Sequence, residues 1–105
     1  MPFSDEAWSS PESDLEVDDF CAVCLIDTND AGQPKVKAKC KLPVKSTPGG
    51  PYNKAAIRNA AGRIFQMTGV PADKKRAAAR KLISLMREAK IEVGSEALKR
   101  LAGRG

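Results

Sequence analysis

The chain is predicted to fold as a small α+β domain, a β-hairpin packed on an antiparallel helix pair, behind a disordered acidic N-terminal tail. Three patterns predict it. Apolar residues alternate with lysines from Lys35 to Lys45, the repeat of a half-buried strand. From Asn53 onward the apolar spacing lengthens to that of a helix, in two stripes separated by Gly69-Val70-Pro71. Charge is also segregated: residues 1–30 hold nine of the 13 acids and no lysine or arginine, and all 18 basic residues lie from Lys35 onward. Residues 1–30 therefore carry −9 and residues 31–105 carry +14 of the net +5. An acidic end on a basic body points to a polyanionic or acidic partner without identifying it.

Residues 1–19, MPFSDEAWSSPESDLEVDD, combine seven acids with few apolar groups, too few to offset the entropy of ordering the backbone, so disorder is expected. Phe3 and Trp8 interrupt this composition. They read either as strays in a solubilising tail or as anchors of a docking motif whose acids meet a basic rim, on a partner or on the protein's own body. The folded part is placed at residues 20–102. Its first element is the apolar run Phe20–Ile26, short and strand-compatible, followed by turn chemistry over residues 28–33. Val36, Ala38, Cys40, Leu42 and Val44 then alternate with lysines, which places Lys37, Lys39 and Lys41 on the opposite face of the second strand. The hairpin spans residues 20–44, with pairing weakened at Pro43, which has no N–H to donate.

Residues 45–52 form a Pro/Gly loop. A helix over about residues 53–68 follows from Ile57, Ala60, Ala61, Ile64, Phe65 and Thr68, with Asn53 as N-cap and Gly69 just past its end. A second helix, about residues 71–90, buries Ala78, Leu82, Leu85, Met86 and Ala89, with Pro71 and Asp73 suited to its first turn. Its other face carries Arg76, Arg80, Ser84 and Arg87, with Lys74, Lys75 and Lys81 alongside. A last helical turn over residues 95–102, capped by Ser95, holds Leu98 and Leu101, and residues 103–105 are expected to fray.

The composition speaks against several function classes. No apolar run approaches the ~20 residues that span a bilayer, and the acidic N-terminus lacks the apolar stretch of a secretory signal. A cytosolic protein with reduced thiols is therefore expected, without membrane association. There is no histidine, the chain from Lys35 onward has four scattered carboxylates, and Gly49-Gly50 lacks the residues of a phosphate loop. Neither catalysis nor a cofactor is expected. Cys21, Cys24 and Cys40 form the one metal-like set, but tetrahedral zinc wants four ligands, and the fourth would be an aspartate, water or a second chain. In a strand, Cys21 and Cys24 also point to opposite faces. The favoured reading is buried thiols acting as small hydrophobes, with zinc and a cross-strand disulfide as alternatives. Pairing Phe20 with Leu42 puts Cys24 beside Cys40, and a shift by one residue puts Cys21 there instead.

The Leu42-Pro43 strand end, the Gly/Pro loop and the segments YNKAAIRNAAGRIFQMTG and VPADKKRAAARKLISLMREAKIEV have a familiar order. With Arg58-Asn59-Ala60 at the centre of one helix and Val70-Pro71-Ala72 as the turn, residues 35–93 resemble a small domain of tailed-phage and prophage proteins. That domain is often found in or beside head-maturation proteases. The resemblance implies a phage product of the virion or host cytoplasm, engaged in capsid assembly, with a phage structural protein or a host protein as partner. It implies no activity and transfers no protease residue. Lys37, Lys39, Lys41, Arg58, Arg63, Arg76, Arg80 and Arg87 are the expected contacts to a polyanion or acidic partner, arginine being the better bidentate ligand. Sequence-independent nucleic-acid binding, with the acidic tail mimicking phosphate, is the second reading. A host-directed effector acting through the tail is a third, and self-association through opposite patches is open to all. Base reading by a helix–turn–helix is disfavoured, because the second helix lacks Asn and Gln.

Overall fold

The computed structural model describes residues 3–103. The α+β class holds: four helices and two short two-stranded sheets surround one principal core. In chain order these are β1 (Phe3–Ser4), α1 (Val17–Ala22), β2 (Cys24–Asp27), β3 (Cys40–Pro43), β4 (Tyr52–Asn53), α2 (Lys54–Arg63), α3 (Ala72–Glu88) and α4 (Glu96–Leu101), with 3-10 turns at Lys37–Lys39 and Ile64–Gln66. β2 and β3 run antiparallel with Cys24 opposite Pro43, Ile26 opposite Lys41 and Asp27 opposite Cys40. β1 and β4 are parallel. α2 packs on β3, α3 on β2 and on α2, and α4 on α3. Ile26, Leu42, Ile57, Ile64, Leu82, Leu85 and Leu98 fill the space between them.

Local chemistry accounts for the helix ends. Asn53 is almost fully buried, and its side-chain oxygen accepts from Ala56 N at 2.9 Å while its amide donates to the Glu6 carbonyl at 3.0 Å. One residue thus caps α2 and ties the acidic segment to it. Asn53→Ala is expected to cost about 2 kcal/mol, since it removes a cap and leaves buried groups unpaired. Urea denaturation checks this, and Asn53→Asp, which keeps the acceptor, should lose less. Ser95 caps α4 by accepting from Leu98 N at 3.0 Å. Gly69 has a φ of 73°, as its place after a helical segment requires.

Four expectations are corrected. The apolar run from Phe20 is not one strand: Val17–Ala22 is helix α1, and the strand begins at Cys24. Asp18 and Asp19 lie in the first turn of α1, where negative charge is favourable, and Phe20 and Cys21, adjacent in sequence, are both buried. The second strand is likewise shorter, because Lys37–Lys39 is a 3-10 turn and only Cys40–Pro43 is extended. Phe65, assigned to the buried stripe of the first helix, is 45% exposed. The chain tightens to 3-10 geometry at Ile64, and the larger rotation per residue turns Phe65 outward.

The fourth correction concerns the acidic segment. In place of a disordered tail, its described residues lie on the body: Phe3 and Ser4 pair with Tyr52 and Asn53, Pro11 is buried, and Asp5 reaches Lys54 at 3.4 Å. Lys37 donates to the Glu12 carbonyl. The radius of gyration, 13.3 Å, matches the ~13 Å of a compact chain of this length. Composition missed this because a few anchored backbone groups hold the segment while most of its acids stay in water. The expectations for residues 1–2 and 104–105 fall outside the described residues.

Leu42 has a φ of 64° within β3, an uncommon conformation for a branched side chain. Its side chain is buried in the core. That burial holds a backbone state costing about 1–3 kcal/mol.

Candidate functional site

α3 turns Ala78, Ala79, Leu82, Ile83, Leu85 and Met86 inward. On its other side Arg76, Arg80 and Arg87 fall within about 40° of one another around the helix and span about 16 Å along it. All three are exposed. α4 docks alongside through buried Leu98, with Ala102 buried just beyond its end. A groove of about 630 Å³ lies here, with Arg80, Ser84, Arg87 and Lys99 on its lining and Ile83 and Ala102 as its apolar part. Glu88 is the one acid in the lining. Arg80 is held in place, its Nε donating at 2.7 Å to the carbonyl of Ala102 at the end of α4. The Arg87 guanidinium has no hydrogen bond or ion pair among the described residues.

A second groove, about 450 Å³, lies under the acidic segment, where Trp8 and Glu12 face Lys37, Lys41 and Arg63. Lys41 and Arg63 have no ion pair among the described residues, and Lys37 is held to the Glu12 backbone. The expected row Lys37, Lys39 and Lys41 is not one face: two of its members sit on the 3-10 turn and one on β3, and Lys39 lies 4.0 Å from Asp30. Arg58 is exposed on α2 and lines neither groove. The structure therefore groups Arg80 with Arg87, Lys37 with Lys41 and Arg63, and leaves Arg58 apart.

Phe3, Trp8 and Tyr52 are engaged within the molecule. Phe3 lies 6.1 Å from Tyr52, ring centre to ring centre, and the ammonium groups of Lys45 and Lys81 stand 4.4 and 5.7 Å from the Tyr52 ring centre. Trp8 is half-buried against the groove. Tyr52 is thus not presented for stacking on unpaired bases.

The strands follow neither anticipated register, since Asp27 lies opposite Cys40, yet Cys21 meets Cys40 as the second alternative anticipated. Cys21, on α1, is disulfide-bonded to Cys40 on β3, with their Cα atoms 5.3 Å apart. The helix brings Cys21 there, so this bond corrects the expectation of reduced, separate thiols. Cys24 is free. Burial, reinforced by the Glu12 and Asp27 carboxylates, pushes its thiol up to about 12, which keeps it protonated and unreactive at neutral pH. Asp27 stands close to the bonded pair. Burial alone would raise its pKa, but hydrogen bonds from Lys35 and Asn29 and the Lys35 charge outweigh burial and lower it to about 2. Lys35 Nζ lies 2.7 Å from its Oδ2.

No family model, curated protein or solved structure matches this chain. Its chemistry therefore has to be read from its own groups. The contacts expected from the sequence leave out Lys99 and Ser84, which complete the α3–α4 groove, and Asp27 with Asn29 beside the cysteines. Ser84 was visible on the polar face of α3, whereas Lys99 belongs to another helix and no local spacing links it to Arg87. Among the described residues no helix is long and apolar enough to cross a membrane.

Proposed function

We propose that this chain is a non-enzymatic binding module that docks an acidic protein segment in the groove between α3 and α4. The observation that carries this reading is the groove's make-up: Arg80, Arg87 and Lys99 beside the apolar Ile83 and Ala102. Cationic groups around a partly apolar channel suit a peptide that alternates acids with apolar anchors. In the setting implied by the resemblance of residues 35–93, the module serves head assembly or the virion. The partner is then a phage structural protein, with a host protein as the alternative source. The antiparallel β2–β3 pair seated on α2 and α3 acts in this reading as the rigid support for the groove.

A second reading is favoured by one further observation. The line Arg76, Arg80 and Arg87 runs about 16 Å along an exposed helix face, the length of about five phosphates of one duplex strand at 3.4 Å each. Fluorescence anisotropy separates the two, using a labelled Glu/Leu peptide and a labelled short duplex DNA with the full-length protein at low and moderate salt. The peptide is expected to bind, and Arg87→Glu to weaken it about tenfold, equivalent to about 1.4 kcal/mol. Tight duplex binding that falls steeply with salt, with no peptide binding, would move the nucleic-acid reading to the front.

A further inference from the structure

The cysteine cluster holds more than a cross-link. Ligand atoms of Cys21, Cys40 and Asp27 all lie within 4.8 Å of one another, on α1, β3 and β2 respectively, with both cysteines buried. Asn29 organises the group. Its Nδ2 stands 3.3 Å from the Cys40 sulfur, 3.9 Å from the Cys21 sulfur and 2.8 Å from Asp27 Oδ1, while its Oδ1 accepts from Val36 N at 2.8 Å. Lys35 binds the other carboxylate oxygen at 2.7 Å. Disulfide sulfurs are weak acceptors and gain little from an amide donor or a nearby carboxylate. Thiolates bound to a metal gain from both: the carboxylate supplies a third ligand, and donors to sulfur and carboxylate hold the ligand atoms in place.

We propose that, when the Cys21–Cys40 bond is reduced, Cys21, Cys40 and Asp27 bind a thiophilic divalent cation, zinc above all, with water in the fourth position. Asp27 replaces Cys24, which lies outside the cluster. Two thiolates and a carboxylate give the soft, tetrahedral donor set that selects zinc over magnesium or calcium. Asp27 Oδ1 accepts from both the backbone N and the Nδ2 of Asn29, whereas Oδ2, with the one bond from Lys35, keeps a lone pair for the metal. The Lys35 charge balances the excess negative charge of three anionic ligands on a divalent ion. Zinc–sulfur bonds of about 2.3 Å put the sulfurs about 3.8 Å apart, a separation supplied by side-chain rotation once the bond is open. The chemistry balances with a phosphine as reductant. Phosphorus takes an oxygen from water, two electrons and two protons pass to the sulfurs as thiols, and zinc then displaces both protons. The site is thus exclusive with the disulfide, so one pair of cysteines joins α1 to β3 either covalently or through metal.

Anaerobic titration of the phosphine-reduced full-length protein with zinc chloride, against a chromophoric chelator, tests this. Cobalt(II) serves as a second probe through its thiolate charge-transfer absorption. One ion per chain is expected for the reduced protein and none for the oxidised protein. Asp27→Asn should weaken zinc at least tenfold, and Asn29→Ala about tenfold as a positioning residue. Reduced protein that takes up no more zinc than Cys21→Ser/Cys40→Ser, or Asp27→Asn that binds like wild type, would overturn the proposal. If the reduced, metal-free chain loses its circular dichroism, zinc must restore it, and failure to do so would equally overturn it.

Discussion

Leu82→Ala is expected to lower the unfolding free energy by about 3 kcal/mol, the cost of removing a fully enclosed leucine whose space cannot fully collapse. Leu82 has no exposed surface and lies among Ile57, Ile64, Leu85 and the other side chains of the core. For a domain of this size, total stability is about 5–15 kcal/mol and each kcal/mol moves the melting temperature by about 4–8 °C. The variant should therefore melt about 12–24 °C lower by circular dichroism. Phe65→Ala is the informative contrast. The sequence stripe puts Phe65 in the same core, but it is 45% exposed, and its truncation should stay within about 0.5 kcal/mol. Equal losses at both positions would mean that α2 continues as a regular helix past Arg63 and buries Phe65.

Loss of the Cys21–Cys40 bond should have an effect of the same size by a different route. The bond closes a loop with a sequence separation of 19. Opening a loop of that length restores unfolded-state freedom worth about 3 kcal/mol on the chain-entropy account. Cys21→Ala/Cys40→Ala is therefore expected to shift the urea midpoint downward with a somewhat steeper slope, because the unfolded chain is no longer held in a loop and exposes more surface. Its consequences should concentrate on α1, which packs on β2, β3 and the turn at Lys37–Lys39. Hydrogen exchange should show α1 opening first, while the helices α2 and α3 keep their protection. Oxidised wild type and the double variant with the same midpoint would show that the cross-link contributes nothing to folding.

Both expectations depend on where local pattern stops being informative. The elements read correctly are those specified by neighbours in sequence. Asn53 and Ser95 cap because each is followed three residues later by an amide it can reach. α3 was readable because its inward residues recur at helical spacing over a long segment, and the five expected at its core are all buried. Where two periods fit one short run, the choice passed to distant contacts. FCAVCLI is compatible with strand or helix alone, and it became the end of a helix followed by a strand because both Phe20 and Cys21 are buried beside Val23 and Cys40. The lysine alternation failed for a related reason. Lys37–Lys39 sits in a tight turn beside α1 and beneath Glu12, so three lysines aligned in sequence point to different surroundings.

The acidic segment marks the same boundary from the other side. Its composition argues for disorder, and most of its acids are exposed, yet Pro11, the Phe3–Tyr52 contact and the Asn53–Glu6 hydrogen bond hold it down. Those contacts join residues about fifty positions apart, which no window of sequence contains. The charge division, the α+β class, the helix caps and the buried stripe of α3 were determined by the sequence itself, because each depends on composition or on residues within a few positions of one another. The pairing of Cys21 with Cys40, the approach of Asp27 to that pair and the meeting of Arg87 with Lys99 across a groove were decided only by tertiary structure. Each requires separate elements to be brought together by burial of the core they share.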